Sequence, residues 1–429
     1  MADLPPDKTI VTYRSFGSAF DAPDASPLAG GRSPFESGGD PAAETALRGE
    51  LSAALAALEE EARKQGPGMM TAVQNQFASL LQSRMLEEPP PGDPRVLSAP
   101  TAPQSAFEVK YDERDILGWV GSVFSWWRRI RPEPWLAPPE RPEPVGTGSA
   151  MRVAMLADWG TGLYGAPVCA QSIERDPRGF DALLHLGDIY YSGTQSEART
   201  RFLDKWPKRA DAVSRACNAN HEMYTGGEGY FRVVLPAFKQ TSSCFALQND
   251  HWLLVGLDTA YEDHDLAQDQ AAWLQRLIDG AGSRKVVLVS HHQPFSLQDS
   301  QGPKLVAKLG NLLGRRRIFA WYWGHEHRCV LYDPHPAWGV LGRCVGHGGY
   351  PYFRDRLEAL PVVDGTWRRM EGKNLVPGAL VLDAPNKYVA GEEEKYGANG
   401  YVTLEFDGPG LQEIVHDPDG TELRRARLA

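Results

Sequence analysis

Cysteine is scarce. Cys169, Cys217, Cys244, Cys329 and Cys344 stand far apart in a chain of 429 residues, and no two form a CxxC pair. A disulfide framework is therefore not expected, and an odd set of isolated thiols fits a reduced, cytoplasmic protein. Long apolar runs are missing too. No stretch approaches the roughly 18 consecutive apolar residues of a membrane-spanning helix. The start, MADLPPDKTIVTYRSFG, has neither the basic opening, the apolar run nor the cleavage site of a secretory signal. Basic charge is in deficit, with 45 Lys plus Arg against 55 Asp plus Glu and a net charge of -10. That balance argues against general nucleic-acid binding or adhesion to an anionic membrane, although one cleft can still be locally basic. What remains is ordinary for a globular chain of two or three domains, 42% hydrophobic and 23% charged.

Proline marks the first boundary, since 19 of the 33 fall in residues 1–150. Each removes a ladder donor, so this part is not a continuous sheet. Residues 1–43 read as a flexible arm and residues 44–131 as a helical accessory region. Within the latter, Leu47, Leu51, Leu55, Leu58 and Ala62 form one helical stripe over 44–65, and Met70, Val73, Phe77, Leu80 and Leu81 form another over 69–87. Gly66, Pro67 and Gly68 between them suggest an α-hairpin. Residues 115–131 carry Trp119, Phe124, Trp126 and Trp127 ahead of three arginines. Two readings stay open there: a helix packed on the main domain, or a weak membrane- or protein-docking helix. Residues 132–150 read as a Pro-rich linker.

From Met151 onward short apolar runs alternate with helical patterns. RVAMLA (152–157), ALLHLG (182–187), KVVLVS (285–290) and RIFAWYW (317–323) read as buried strands, and 265–279 as an amphipathic helix. CFALQ (244–248) with WLLVGLD (252–258), and YVTLEF (401–406) with LQEIVH (411–416), read as hairpins. The expected architecture for 151–429 is a two-sheet α/β sandwich.

Five segments close a predicted strand with a polar cluster: LADWG (156–160), GDIYY (187–191), NANHE (218–222), SHHQPF (290–295) and GHEHR (324–328). Loops at the carboxyl ends of strands are where α/β folds assemble sites. Taken singly each segment is weak, because an Asp after a strand is most often a cap. Together they gather Asp158, Asp188, Asn220, His221, His291, His292, His325, His327 and a tyrosine. Oxygen and imidazole donors without thiolate suit Fe, Mn, Zn or Mg. Their number suits two ions rather than one, with a carboxylate able to bridge a pair about 3.5–4 Å apart.

The order DxG, GDxxY, NHE, strand-end His, GHxH resembles the calcineurin-like metallophosphoesterases, over roughly residues 151–350. It is most similar to their purple acid phosphatase branch. Gly160 stands where most of the superfamily has a His, and Tyr191, three residues after Asp188, supplies the branch's tyrosine. The resemblance implies an α/β/β/α sandwich. It implies one ion held by Asp158, Tyr191 and His327, a bridging Asp188, and a second ion held by Asn220, His291 and His325. His221 would protonate the leaving alkoxide or orient substrate. The implied ions are Fe(III) at the tyrosine with Fe, Zn or Mn(II) beside it, or else a Mn or Zn pair. The implied reaction is hydrolysis of a small phosphorylated substrate, most simply a phosphomonoester, by in-line attack of a metal-bound hydroxide. Phosphodiester hydrolysis on the same site is the alternative, and a scaffold protein with a vestigial site is the reading from another class.

Several positions stay open. Ala219 replaces a glycine of the motif, and a positive φ there would strain the loop. In HHQP, strand alignment selects His291 as ligand and leaves His292 facing phosphate, whereas His-x-Pro spacing would select His292. Tyr190 adjoins Tyr191, and one of the two belongs in the core. His347, in the Gly-rich segment 346–352, is a candidate substrate contact. His185, on an apolar strand, reads as a core residue, and Arg315–Arg317 as a solvated edge.

Overall fold

In the computed structural model the described residues are scattered positions between 49 and 60, residues 75–86, and residues 130–429 apart from 299–301, 355–356, 358–359, 390 and 392. They fall into two units, Met1–Arg131 and Pro132–Ala429. In the first, the described positions of 49–60 are helical, and α1 spans Gln76–Leu86. Asn75 opens α1, its Oδ1 accepting the amide of Ala78 at 2.8 Å, and Phe77 and Leu80 are buried. The arm 1–43 and the aromatic island 115–129 lie outside the described residues.

The second unit is built on two sheets. The smaller holds β2 (Ala150–Leu156), β3 (Ala182–His185), β4 (Val213–Ala216), β14 (Tyr401–Asp407), β15 (Gly410–His416) and β16 (Glu422–Arg427), in the order β16-β15-β14-β2-β3-β4. Its β2, β3 and β4 run parallel, whereas β14 lies antiparallel to β2. The C-terminal hairpin thus extends the sheet that β2 begins.

The larger sheet has ten strands. They are β1 (Glu143–Pro144), β5 (Phe245–Gln248), β6 (Trp252–Gly256), β7 (Lys285–Ser290), β8 (Ile318–Trp323), β9 (Cys329–Pro334), β10 (Leu341–Val345), β11 (Val362–Asp364), β12 (Trp367–Met370) and β13 (Ala379–Leu382). Their order is β1-β5-β6-β7-β8-β10-β9-β13-β12-β11, with β6, β7 and β8 parallel. The Pro-rich stretch 132–150 belongs to this unit. β1 pairs with β5, and Trp273 donates its indole N–H to the carbonyl of Pro139 at 2.7 Å.

Side-chain alternation explains the layering. Val153 and Met155 of β2 pack between the sheets with Val287 and Val289 of β7, Ala320 of β8 and Leu404 of β14. Their neighbours Ala154 and Leu156 turn to the outer face, where α2 (Ala166–Arg175) brings Ala166, Cys169 and Ile173. On the far side, Val286 and Leu288 pack with Trp273 and Leu277 of α3 (Gln270–Gly280) and with Leu305 and Leu309 of α4 (Pro303–Gly314). The result is a mixed α/β fold of two facing sheets with helices outside both.

The helix expected from 265 begins only at 270. Gln268 sits at φ 48, which breaks the helical run, and Gln270 clasps both backbone groups of Asp258 at 2.8 Å. All five cysteines are buried free thiols. No helix among the described residues is long and apolar enough to cross a membrane.

Candidate metal centre

The five polar clusters follow the carboxyl ends of five parallel strands, three from the smaller sheet and two from the larger. β2 leads to Asp158, β3 to Asp188, β4 to Asn220, β7 to His291 and β8 to His325 and His327. The sheets face each other, so these loops converge.

One oxygen or ring nitrogen from each of Asp158, Asp188 and His327 lies within 4.8 Å of the others, and the same holds for Asp188, His291 and His325. Asp188 is common to both groups. Asn220 joins the second, its Oδ1 lying 3.0 Å from His291 Nε2.

The backbone is strained where the donors sit. Asp158, Asp188, His325 and His327 have φ of 54°, 72°, 69° and 54°. Each costs on the order of 1–3 kcal/mol for a non-glycine residue, a cost that folds tolerate mainly at functional sites. Gly187, at φ 96, cannot be replaced cheaply. A Cβ there would stand 2.6 Å from Ala219 Cβ and 2.9 Å from His291 Nδ1. Ala219 itself is extended (φ -139), so the strain expected from replacing a glycine at this position does not arise.

His291 shows most clearly what the cluster is suited to hold. Burial pushes its pKa down to about 4, so the ring is neutral near pH 7. Its Nδ1–H donates to the carbonyl of Leu186 at 2.8 Å. Nε2 is then a lone pair, 3.0 Å from Asn220 Oδ1, 3.3 Å from Asp188 Oδ1 and 3.3 Å from His325 Nδ1. The lone pairs of Nε2 and of the two oxygens, aimed at one another, are unfavourable unless a cation lies between them. Asp158 Oδ2 and Asp188 Oδ1 are buried and accept no hydrogen bond. Burial, then the neighbouring charge of Asp188, holds the Asp158 carboxyl well above its ordinary range. Cations would relieve both effects, so the donor set fits bound metal.

The tyrosine at this cluster is not the one selected by spacing. Tyr190, not Tyr191, places its hydroxyl 3.1 Å from Asp188 Oδ2 and against His327 Nε2. Tyr191 is buried with the guanidinium of Arg201 5.5 Å from its ring centre, while its carbonyl accepts from His221 Nδ1. Adjacent side chains leave the backbone in different directions, and the Tyr190 hydroxyl is the one placed at Asp188 and His327.

His347 is also displaced from its expected place. Gly346 and Gly348 face Asp158 and Ala157, and the histidine between them turns away against Gly400. Among the described residues it joins no donor group. His185 lies in an aromatic cage of Trp159, Phe202 and Trp206, and burial lowers its pKa to about 3.

His292 does not reach Asp188. Its Nδ1 lies 2.8 Å from the Thr259 carbonyl and its Nε2 has no hydrogen-bond partner. His221 likewise leaves Nε2 unpartnered, beside the charge of Asp188.

Two buried glutamates shape the loops, and neither was assigned a role from sequence. Glu222, inside the NHE motif, accepts the amides of Ile189 and Asp188 at 3.0 and 3.3 Å. Glu197 accepts those of Tyr191, Ser192 and Thr194 at 2.6, 3.1 and 3.0 Å. Glu197 lies three to six residues beyond the amides it accepts and Glu222 33 and 34 residues beyond its own, and neither spacing marks a pattern in the sequence.

Two facing sheets with acid, amide and imidazole donors at their strand ends are consistent with a metallophosphoesterase fold. The calcineurin-like phosphoesterase family model matches residues 151–329. Among solved structures, the purple acid phosphatase PPD1 from yellow lupin (Lupinus luteus) seeds is similar at 15% identity and a TM-score of 0.48, over 67% of this chain and 54% of its own. This chain therefore spans about half the length of the lupin protein. PhoD is similar at 12% identity and a TM-score of 0.43, over 67% of this chain and 69% of its own. No curated protein sequence matches the chain.

Proposed function

We propose that this protein hydrolyses phosphomonoesters with a pair of metal ions. Asp158, Tyr190 and His327 would hold one ion, Asn220, His291 and His325 the other, and Asp188 both. The observation that carries the reading is the neutral His291, whose Nε2 lone pair meets the oxygens of Asn220 and Asp188 with no proton to share. When bound, such a pair supplies a water of lowered pKa and neutralises charge developing on the phosphoryl oxygens.

The chain's own residues would do the rest. Strained backbone at Asp158 and Asp188 fixes the carboxylates before substrate arrives. His221, held through Nδ1 by the Tyr191 carbonyl, presents Nε2 beside Asp188, where it can orient the phosphoryl group or, once protonated, give a proton to the leaving alkoxide. A phenolate from Tyr190 favours iron in the ferric state at its position.

The test is a panel of mono- and diesters, assayed over several pH values on protein reloaded with iron, zinc or manganese. Faster monoester turnover is expected. Faster diester turnover would move the assignment to a phosphodiesterase, and no turnover with any metal would overturn the hydrolase reading. In iron-loaded protein, Tyr190→Phe should abolish the phenolate-to-iron absorption band and Tyr191→Phe should keep it.

A further inference from the structure

The loop between β6 and α3 contributes a histidine that no sequence motif marks. His264, at φ 54, places its ring centre 3.8 Å from that of His292 and 5.3 Å from that of His325, and the last two are 4.7 Å apart. One ring nitrogen of each lies within 4.8 Å of the other two. This group is distinct from the two built on Asp188, meeting them only at His325.

The outward ring nitrogens of the two additional histidines are anchored. His264 Nδ1 lies 2.7 Å from Asp263 Oδ1, and His292 Nδ1 lies 2.8 Å from the Thr259 carbonyl and 3.1 Å from its hydroxyl. A carboxylate or carbonyl behind one nitrogen fixes the tautomer and turns the other into a lone-pair donor, the arrangement found behind metal-ligating histidines. On His292 that donor is fully buried and has no hydrogen-bond partner.

We propose that His264, His292 and His325 hold a third metal ion beside the two-ion cluster. Three imidazoles without a carboxylate suit a borderline divalent ion of the zinc or cobalt type. An imidazole can serve an ion on each of its two nitrogens once its ring proton is released to solvent, so His325 can belong to both clusters. The inference goes beyond the proposed hydrolysis, and it stands whether or not that reading holds.

The experiment strips the full-length protein with a chelator, reloads it with Co(II) and counts metal per chain. His264→Ala is expected to bind one cobalt fewer than wild type. Asp188→Asn should retain one equivalent that Asp188→Asn/His264→Ala loses, which reads the third site with the pair disabled. Equal counts in wild type and His264→Ala would overturn the proposal and leave His264 and His292 as contacts for phosphate only. His264→Cys guards against a folding artefact. It should keep the ion and add a thiolate-to-cobalt absorption band, and cobalt-loaded protein without that band would also overturn the site.

Discussion

The smaller sheet delivers oxygen donors to the centre: Asp158, Asp188 and Asn220 follow β2, β3 and β4. The larger delivers nitrogen donors: His291, His325 and His327 follow β7 and β8. Neither sheet owns a complete ligand set. Hard carboxylates on one side and borderline imidazoles on the other meet only because the sheets pack face to face. The chemistry of the centre is thus a property of the interface between sheets, and Asp188 is the donor shared by both groups. Replacing it should break the comparison most completely. Asp188→Asn keeps the shape but removes the charge, and both ions of the pair should be lost. Turnover is expected to fall by about 10²–10³-fold, the scale reached when one essential electrostatic group at a reacting centre is removed. Metal analysis beside the ester assay checks it, and full turnover would place the chemistry elsewhere.

The sheets are also tied by a buried ionic link. Glu413 on β15 accepts from Arg343 Nε of β10 at 2.9 Å and from the Tyr322 hydroxyl of β8 at 2.6 Å. Glu413→Ala strands a buried guanidinium, a loss of about 3–5 kcal/mol. Urea unfolding should show it, alongside a weakened metal centre. The half-exposed pair of Asp279 with Arg315 offers the contrast, and Asp279→Ala should leave the unfolding midpoint almost unchanged. Equal costs would mean that the inter-sheet link does not hold the two halves in register.

Much of this site can be read from the chain because its donors follow strand ends, and strands of alternating or continuous apolar residues leave a strong pattern. Asp158, Asp188, Asn220, His291, His325 and His327 are all visible that way. Choosing between neighbours is harder. Tyr190 against Tyr191 depends on which way one residue faces at a loop, and spacing carries no such information. The placing of His347 against Gly400 is equally hidden, since its flanking glycines take the face toward Asp158. His264 lies on a loop with no periodicity, and only the folded chain brings it to His292. The hairpins at 249–250 and 407–410 were legible because their turn residues are diagnostic. The late start of α3 was not, because it depends on Gln268 adopting a positive φ.

A further substitution bears on the ion beside Tyr190. Glu197 accepts three buried backbone amides of the 191–194 loop, and its own amide is capped by Thr194 Oγ1 at 3.2 Å. Glu197→Gln keeps the volume but turns an NH2 toward at least one of those donors. One unpaired buried amide costs about 1–3 kcal/mol, so a modest drop in thermal stability is expected. The loop follows Tyr190, whose hydroxyl meets Asp188 and His327, and its Tyr191 carbonyl anchors His221, so the ion beside Tyr190 should weaken by about 10–100-fold, the range for lost outer-shell support. The ion at His291 should keep its affinity, because His291 is anchored by Leu186 and Asn220. Stepwise metal titration separates the two. Equal weakening of both ions would show that Asp188 transmits the disturbance and that the two donor sets act as one.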